Sequence, residues 1–218
     1  TNYPVIRDSA VDLKNTLLNY TDYHHRHSPI YPIFLGQFLK LNFSYDFIRF
    51  IHLNISISLI YIFYKCLVLK FKNINKNICI ILSLVIFLSP TFRSLAIWPD
   101  SRIIGVIFFT LSILEFLKFE QDKNFSHIWK NLLYLIISSY ISPNFSIFII
   151  FFAYHYLKKI NFLRIIIISL FCLIMAFPAF YYLFILDINF LLAKTPGSNA
   201  NETIGLSFNF SDKILIIS

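Results

Sequence analysis

The 218-residue chain is 57% hydrophobic and 19% aromatic but only 14% charged, with a formal net charge of +8 and a mean hydropathy of +0.68. Soluble globular chains carry roughly 25% charged residues, so this one lacks the polar coat of such a domain. With 4 Gly beside 26 Phe and 13 Tyr, it is also neither disordered nor collagen-like.

The cations sit in short groups between long apolar runs. That is the pattern of a membrane protein rather than of a nucleic-acid binder, and no nucleic-acid partner is expected. Cys66, Cys79 and Cys172 lie inside apolar runs with no CxxC spacing and read as small hydrophobes, not as a disulfide framework or a metal site.

In chain order, residues 1–29 form a polar first loop, followed by a transmembrane helical module over 30–186. A polar loop over 187–212 comes next, and 213–218 reads as the start of a further span. The opening at Thr1 without a signal peptide, and the end inside the apolar run 214–217, suggest a piece of a longer polytopic protein.

A bilayer-crossing helix needs about 20 apolar residues. The clearest run is Phe47 to Leu69. Ile78 to Leu88 meets Ser89-Pro90 and continues weakly to Trp98, and Ile103 to Phe119 is the next run. Ile128 to Ile141 and Ser146 to Leu157 form a pair hinged at Ser142-Pro143-Asn144, because a proline disfavours helix in the residue before it. Leu163 to Leu186 contains Pro178, a predicted kink. Pro29 to Lys40 is apolar but too short to cross alone, and reads as a re-entrant or interfacial helix over 30–41. The predicted fold class is therefore all-α, a polytopic transmembrane helical bundle of about six spans plus that short helix.

Charge assigns the sides. Loops 65–76, 118–130 and 158–164 hold ten Lys or Arg against Glu120, Asp122 and the adjacent Glu115, whereas loops 1–29, 91–102 and 187–212 hold six against seven acids. The first set reads as cytoplasmic and the second as extracytoplasmic. The composition, rich in Ile, Phe, Asn and Lys, suggests an AT-rich genome and a bacterial inner membrane.

The extracytoplasmic face collects most of the chemistry-bearing side chains. The first loop offers Asp8, Asp12 and the run Asp22-Tyr23-His24-His25-Arg26-His27-Ser28-Pro29-Ile30-Tyr31-Pro32. The second offers Arg93, Trp98-Pro99-Asp100 and Arg102. Tyr3, Tyr20, Tyr23 and Trp98 fit an aromatic belt. His24, His25 and His27 lack metal-site spacing. Asp100 beside Arg93 and Arg102 reads either as a surface ion network or as a functional acid opening a helix at the membrane boundary. Within the spans, His52 is the main polar exception and reads as packed or hydrogen-bonded.

The order of these motifs resembles the N-terminal module of the GT-C-type membrane glycosyltransferases, the dolichyl-phosphate-mannose-dependent mannosyltransferase-like superfamily. The resemblance runs over most of residues 1–185. It consists of an acidic loop, His27-Ser28-Pro29-Ile30-Tyr31-Pro32 before a short apolar helix, and Ile48-Arg49 opening a long span. A lysine-rich turn, a span ending in Ser-Pro and an Arg…Trp-Pro-Asp loop follow.

The resemblance implies an enzyme that moves a sugar from a polyprenyl-phosphate donor to an acceptor hydroxyl on a glycan, lipid or protein, among membrane lipids. It implies Asp8 as the catalytic base, with Asp12 the alternative because no Asp-Glu pair is present, and Asp100 as the second acid. His27-Ser28-Pro29 stands where the family carries His-Pro-Pro. The cations available to the donor phosphate are Arg26, His27, Arg93 and Arg102. No cofactor is assigned with certainty, and a divalent metal ion is one of the things Asp100 could hold, beside an arginine or the acceptor. An inverting displacement is expected, because a single carboxylate leaves no covalent intermediate. A transporter or flippase, or a non-catalytic membrane assembly subunit, is the reading from a different class.

Overall fold

A computed structural model describes residues 30–184, and all structural statements refer to these. The described chain is helical, with no strand among its elements.

The first helix, α1 (Ile30–Lys40), ends where Asn42 turns through a positive φ of 63°. The chain then enters α2 (Tyr45–Lys70), whose first turn is capped by Ser44: its Oγ accepts the Phe47 amide at 3.2 Å. At 1.5 Å per residue, the 26 residues of α2 reach about 39 Å, more than the roughly 30 Å of a bilayer core. Among the described residues α2 is the one helix long and apolar enough to cross a membrane.

The run after it does not form a straight span. α3 (Lys76–Leu84) tightens into a 3-10 turn over Val85–Leu88, and α4 (Pro90–Ile97) leaves at 70° to it. Residue identity accounts for the break. Ser89, preceding a proline, takes an extended ψ of 118°, and its Oγ caps the new helix by accepting the Phe92 amide at 3.3 Å. The expected single crossing from Ile78 to Trp98 is thus a bent pair, long and apolar enough to cross only when its halves are taken together.

α5 (Ser101–Asp122) begins at its cap Asp100 and closes at Lys123, which adopts a left-handed φ of 57° and donates its amide to the Phe119 carbonyl at 2.9 Å. α6 (Ser126–Ile141) follows after three residues. Ser142 stops it by going extended before Pro143, so the predicted hinge appears as a 3-10 turn over Pro143–Ile147 leading into α7 (Phe148–Leu157). α8 (Phe162–Phe184) carries Pro178 inside the helix. Pro143–Leu157 and Phe162–Pro178 are apolar stretches shorter than a full crossing.

α5 is the centre of the fold. It runs parallel to α2, with Gln121 Nε2 donating to the Leu69 carbonyl at 2.9 Å and Cys66 Sγ meeting the Thr110 carbonyl at 3.7 Å. It runs antiparallel to α6 along a buried polar row. Ser138 Oγ donates to the Gly105 carbonyl at 2.8 Å, and Asn131 Nδ2 donates at 2.8 Å to both the carbonyl and the hydroxyl of Ser112. His127 Nδ1 meets Glu115 Oε2 at 2.6 Å. From α7, the Tyr156 hydroxyl donates to Asn131 Oδ1 at 2.9 Å. Each unmet buried polar group costs about 1–3 kcal/mol, so these bonds fix the helix register as well as holding the pair.

Ser112, Asn131 and Ser138 are fully buried along the α5–α6 seam.

Gly105 permits the close approach there: a Cβ on it would lie 3.0 Å from Ser142 Cβ and 3.2 Å from Phe145 Cε2. The apolar core has two parts. One joins α1, α2, α4 and α5 around Leu35, Ile48, Ala96 and Ile104; the other joins α5, α6 and α7 around Phe116, Ile128, Leu135 and Phe152. Beyond them α3, α7 and α8 turn large apolar side chains such as Ile81, Ile150 and Leu170 outward.

Candidate functional site

Four elements converge at the end of the bundle where α2 and α5 begin. His52, one turn beyond Ile48 on α2, is fully buried and ties three of them together. Its Nε2–H donates to the Leu95 carbonyl of α4 at 2.8 Å, and its Nδ1 accepts from the hydroxyl of Tyr31 on α1. A neutral ring with the proton on Nε2 satisfies both contacts, which assigns the tautomer from its partners. The sequence reading of His52 as packed and hydrogen-bonded agrees with this arrangement.

Arg49, one turn before His52, is half-exposed. Its Nε donates to the Ile97 carbonyl at 3.4 Å, its guanidinium carbon stands 4.7 Å from the Trp98 ring centre, and a guanidinium nitrogen is 3.5 Å from Asp46. Trp98, expected in an aromatic belt, is therefore the face on which an arginine rests, a contact worth about 0.5–1 kcal/mol at an exposed site. On the first turn of α2, the Tyr45 hydroxyl is buried without a hydrogen-bond partner among the described residues. Arg49 and Asp46 are both within electrostatic reach of it.

Asp100 caps α5. Its Oδ1 accepts the Arg102 amide at 2.7 Å and Arg102 Nε at 3.0 Å, while Oδ2 accepts Nη2 at 2.6 Å. The carboxylate hydrogen bond, ahead of any loss from burial, raises the Arg102 pKa above its ordinary value. Both oxygens thus face one guanidinium, and such bidentate, charge-assisted bonds are among the stronger hydrogen bonds. Asp100 also lies within electrostatic reach of Tyr31 and His52. A carboxylate bound on both oxygens to one guanidinium suits positioning better than proton abstraction.

Of the residues singled out from sequence, the structure brings Asp100 and Arg102 together. Arg93 is exposed on α4, with no carboxylate partner among the described residues. Asp8, Asp12, Arg26 and His27 lie outside the described residues. Tyr31, Arg49 and His52 also belong to this end; the sequence places Tyr31 in the first-loop run, Arg49 at the opening of a span and His52 as a packed polar exception, and assigns none of them a catalytic or binding role. The available signal was polar residues in the first two turns of an otherwise apolar span. Among the described residues no three His, Cys, Asp or Glu side chains gather as a metal site would require.

The opposite end of the bundle carries a second ionic cluster. Lys118 Nζ lies 2.5 Å from Glu115, His127 Nε2 lies 3.0 Å from Asp122, and Lys159 Nζ lies 2.6 Å from Glu120 Oε1. Burial raises the Glu120 carboxyl, but the Lys159 hydrogen bond and the charges of Lys123 and Lys159 outweigh it and hold the pKa below the ordinary value. Asp122 is lowered chiefly by the Asn124 amide, then by His127.

Comparison with protein-family models, curated proteins and solved structures finds no match to this chain.

Proposed function

We propose that this chain is part of a polytopic membrane glycosyltransferase that takes a sugar from a polyprenyl-phosphate donor and transfers it to an acceptor hydroxyl. The reaction face would be the end holding Asp100, extracytoplasmic and, from the composition, periplasmic in a bacterial inner membrane. The observation that carries the reading is the gathering of Tyr31, Arg49, His52, Asp100 and Arg102 at one end of an apolar bundle. A lipid-linked phosphate sugar requires such placement, with cations at headgroup depth and an apolar flank for the tail.

In this scheme a first-loop carboxylate, Asp8 or its alternative Asp12, accepts the proton of the acceptor hydroxyl. The acceptor oxygen bonds to the anomeric carbon as the bond from that carbon to the phosphate oxygen breaks. The lipid phosphate departs as an anion and needs positive charge more than a proton. Arg102 and Arg49 are the nearest described cations, with Arg93, Arg26 and His27 completing the set read from the sequence. Asp100 fixes the Arg102 guanidinium in its plane.

The test is thermal stabilisation of the nanodisc-embedded protein by a short-chain polyprenyl-phosphate sugar, followed by turnover. Wild type should be stabilised, Arg102→Ala should bind at least about tenfold more weakly as a charge-assisted contact is lost, and Asp8→Asn should bind but not turn over. Absence of stabilisation by any such donor would defeat the reading, and full turnover by Asp8→Asn would defeat the base assignment.

The 70° break between Leu88 and Pro90 favours a second reading, a lipid-linked-sugar flippase, because transporters place broken helices beside their substrates. Movement of an intact donor between leaflets, without release of the lipid phosphate, would decide for it.

A further inference from the structure

The end opposite Asp100 has a composition that neither reading uses. Hydrogen bonds fix which residues share it. Gln121 to the Leu69 carbonyl joins the ends of α5 and α2, and Lys159 to Glu120 adds the end of α7. Arg164 over the Phe125 ring, 5.0 Å from its centre, adds the start of α8. Glu115, Glu120 and Asp122 are each engaged by Lys118, Lys123, His127 or Lys159. That leaves Lys70, Lys72, Lys76, Lys130, Lys158 and Arg164 exposed, with no carboxylate partner among the described residues.

Apolar side chains stand among these cations, in the turn after α2 and in the first turn of α8. Phe162 is 78% and Leu163 71% exposed, immediately before Arg164, and Phe71 is exposed between Lys70 and Lys72. A nucleic acid would match the charges but offers no apolar layer to such side chains. An acidic membrane surface offers phosphates and, a few ångströms deeper, acyl chains.

We propose that this helix-end collar binds the phosphate headgroups of anionic phospholipids, with Phe71, Phe162 and Leu163 seated in the acyl boundary beneath them. The inference rests on the membrane embedding proposed above and is independent of the transfer reaction. Its selectivity follows from a surplus of cations whose stems can lie along apolar surface while their heads reach phosphate.

The two tryptophans provide the test, because Trp98 lies at the Asp100 end, while Trp129 lies in the first turn of α6 at the collar, against Phe125 and Phe171. The full chain would be reconstituted into phosphatidylcholine vesicles containing either brominated phosphatidylglycerol or brominated phosphatidylcholine, and tryptophan quenching measured. Trp98→Phe leaves Trp129 as the reporter, and Trp129→Phe leaves Trp98. At Trp129, the anionic lipid should reach half-maximal quenching at a several-fold lower mole fraction than the zwitterionic one, and at Trp98 the two should agree. Lys130→Gln with Arg164→Gln, the loss of two of the six collar cations, should bring the Trp129 ratio several-fold closer to one, since each surface cation contributes up to about a fivefold preference.

Equal quenching by the two lipids at Trp129 would overturn the collar alone, and so would a preference that the double substitution leaves undiminished. Loss of the preference on adding excess inorganic phosphate would overturn the lipid assignment in favour of a free-anion site. No quenching of either tryptophan by either lipid would overturn the embedding itself. If Trp98→Phe does not fold, native mass spectrometry of the unsubstituted chain provides the same test. Retained phosphatidylglycerol outnumbering retained phosphatidylcholine supports the collar, and equal retention overturns it.

Discussion

The two ends of the bundle solve different problems with similar residues. At the Lys159 end, acids and bases pair across helix termini: Glu115 with Lys118 and His127, Glu120 with Lys123 and Lys159, Asp122 with His127. At the Asp100 end, Arg49 rests on Trp98 and a carbonyl, and His52 spends both nitrogens on Tyr31 and Leu95. Ionic pairing locks one end. The other is assembled around a neutral histidine that ties α2 to α1 and α4, and its ion pairs, Asp100 with Arg102 and Asp46 with Arg49, join residues two or three apart on one element rather than separate helices.

If that contrast is right, the Asp100 end depends on one buried side chain. His52→Leu removes two hydrogen bonds and leaves the Leu95 carbonyl and Tyr31 hydroxyl unmet, at about 1–3 kcal/mol each. The expected loss is about 3 kcal/mol in detergent unfolding, together with easier proteolysis of α1. A change below about 0.5 kcal/mol, the usual surface effect, would mean that α1 docks by other contacts.

Gly105→Val should cost about 1–3 kcal/mol, as overpacking does, because the added carbons meet Ser142 and Phe145. Pairing it with Ser142→Gly should recover part of that loss, and a double variant no better than the single would place the strain elsewhere.

The ionic end should show its character in acid. The folded pKa values of Glu120 and Asp122 are lowered, so their contribution is complete above the ordinary carboxyl range near pH 4. It is lost as the pH falls through the lower folded values. Glu120→Gln should flatten that part of the stability profile, and an unchanged profile would remove Glu120 from the account. The smallest effect is expected at Lys72, exposed and unpaired with any described carboxylate, where Gln should change stability by less than about 0.5 kcal/mol.

Much of the helix pattern was legible because its causes are local. The apolar run Phe47–Leu69 became Tyr45–Lys70, and the residue before a proline ended a helix at both Ser89 and Ser142. Asp100 opens a helix as a capping aspartate should. The 70° bend was less legible, because a Ser-Pro step reveals a break but not its angle.

The contacts that define the two ends were not readable in advance. Tyr31 meets His52 across 21 residues and Gln121 meets Leu69 across 52, pairings set by how helices dock and not by any spacing along one of them. Asn131 stands on an otherwise apolar stretch of α6. Its partners, Ser112 and Tyr156, lie on two different elements.

The seam between α5 and α6 has a consequence for biogenesis. Three residues separate these helices, so they emerge from the ribosome almost together. Each then carries the partners that the other's serines, asparagine and histidine need. Under the membrane embedding proposed above, they would leave the insertion machinery as a hairpin with little polar debt, before α7 is synthesised. Asn131 Oδ1 waits for Tyr156 of α7, as Glu120 waits for Lys159 and the Tyr140 hydroxyl for the Met175 carbonyl of α8.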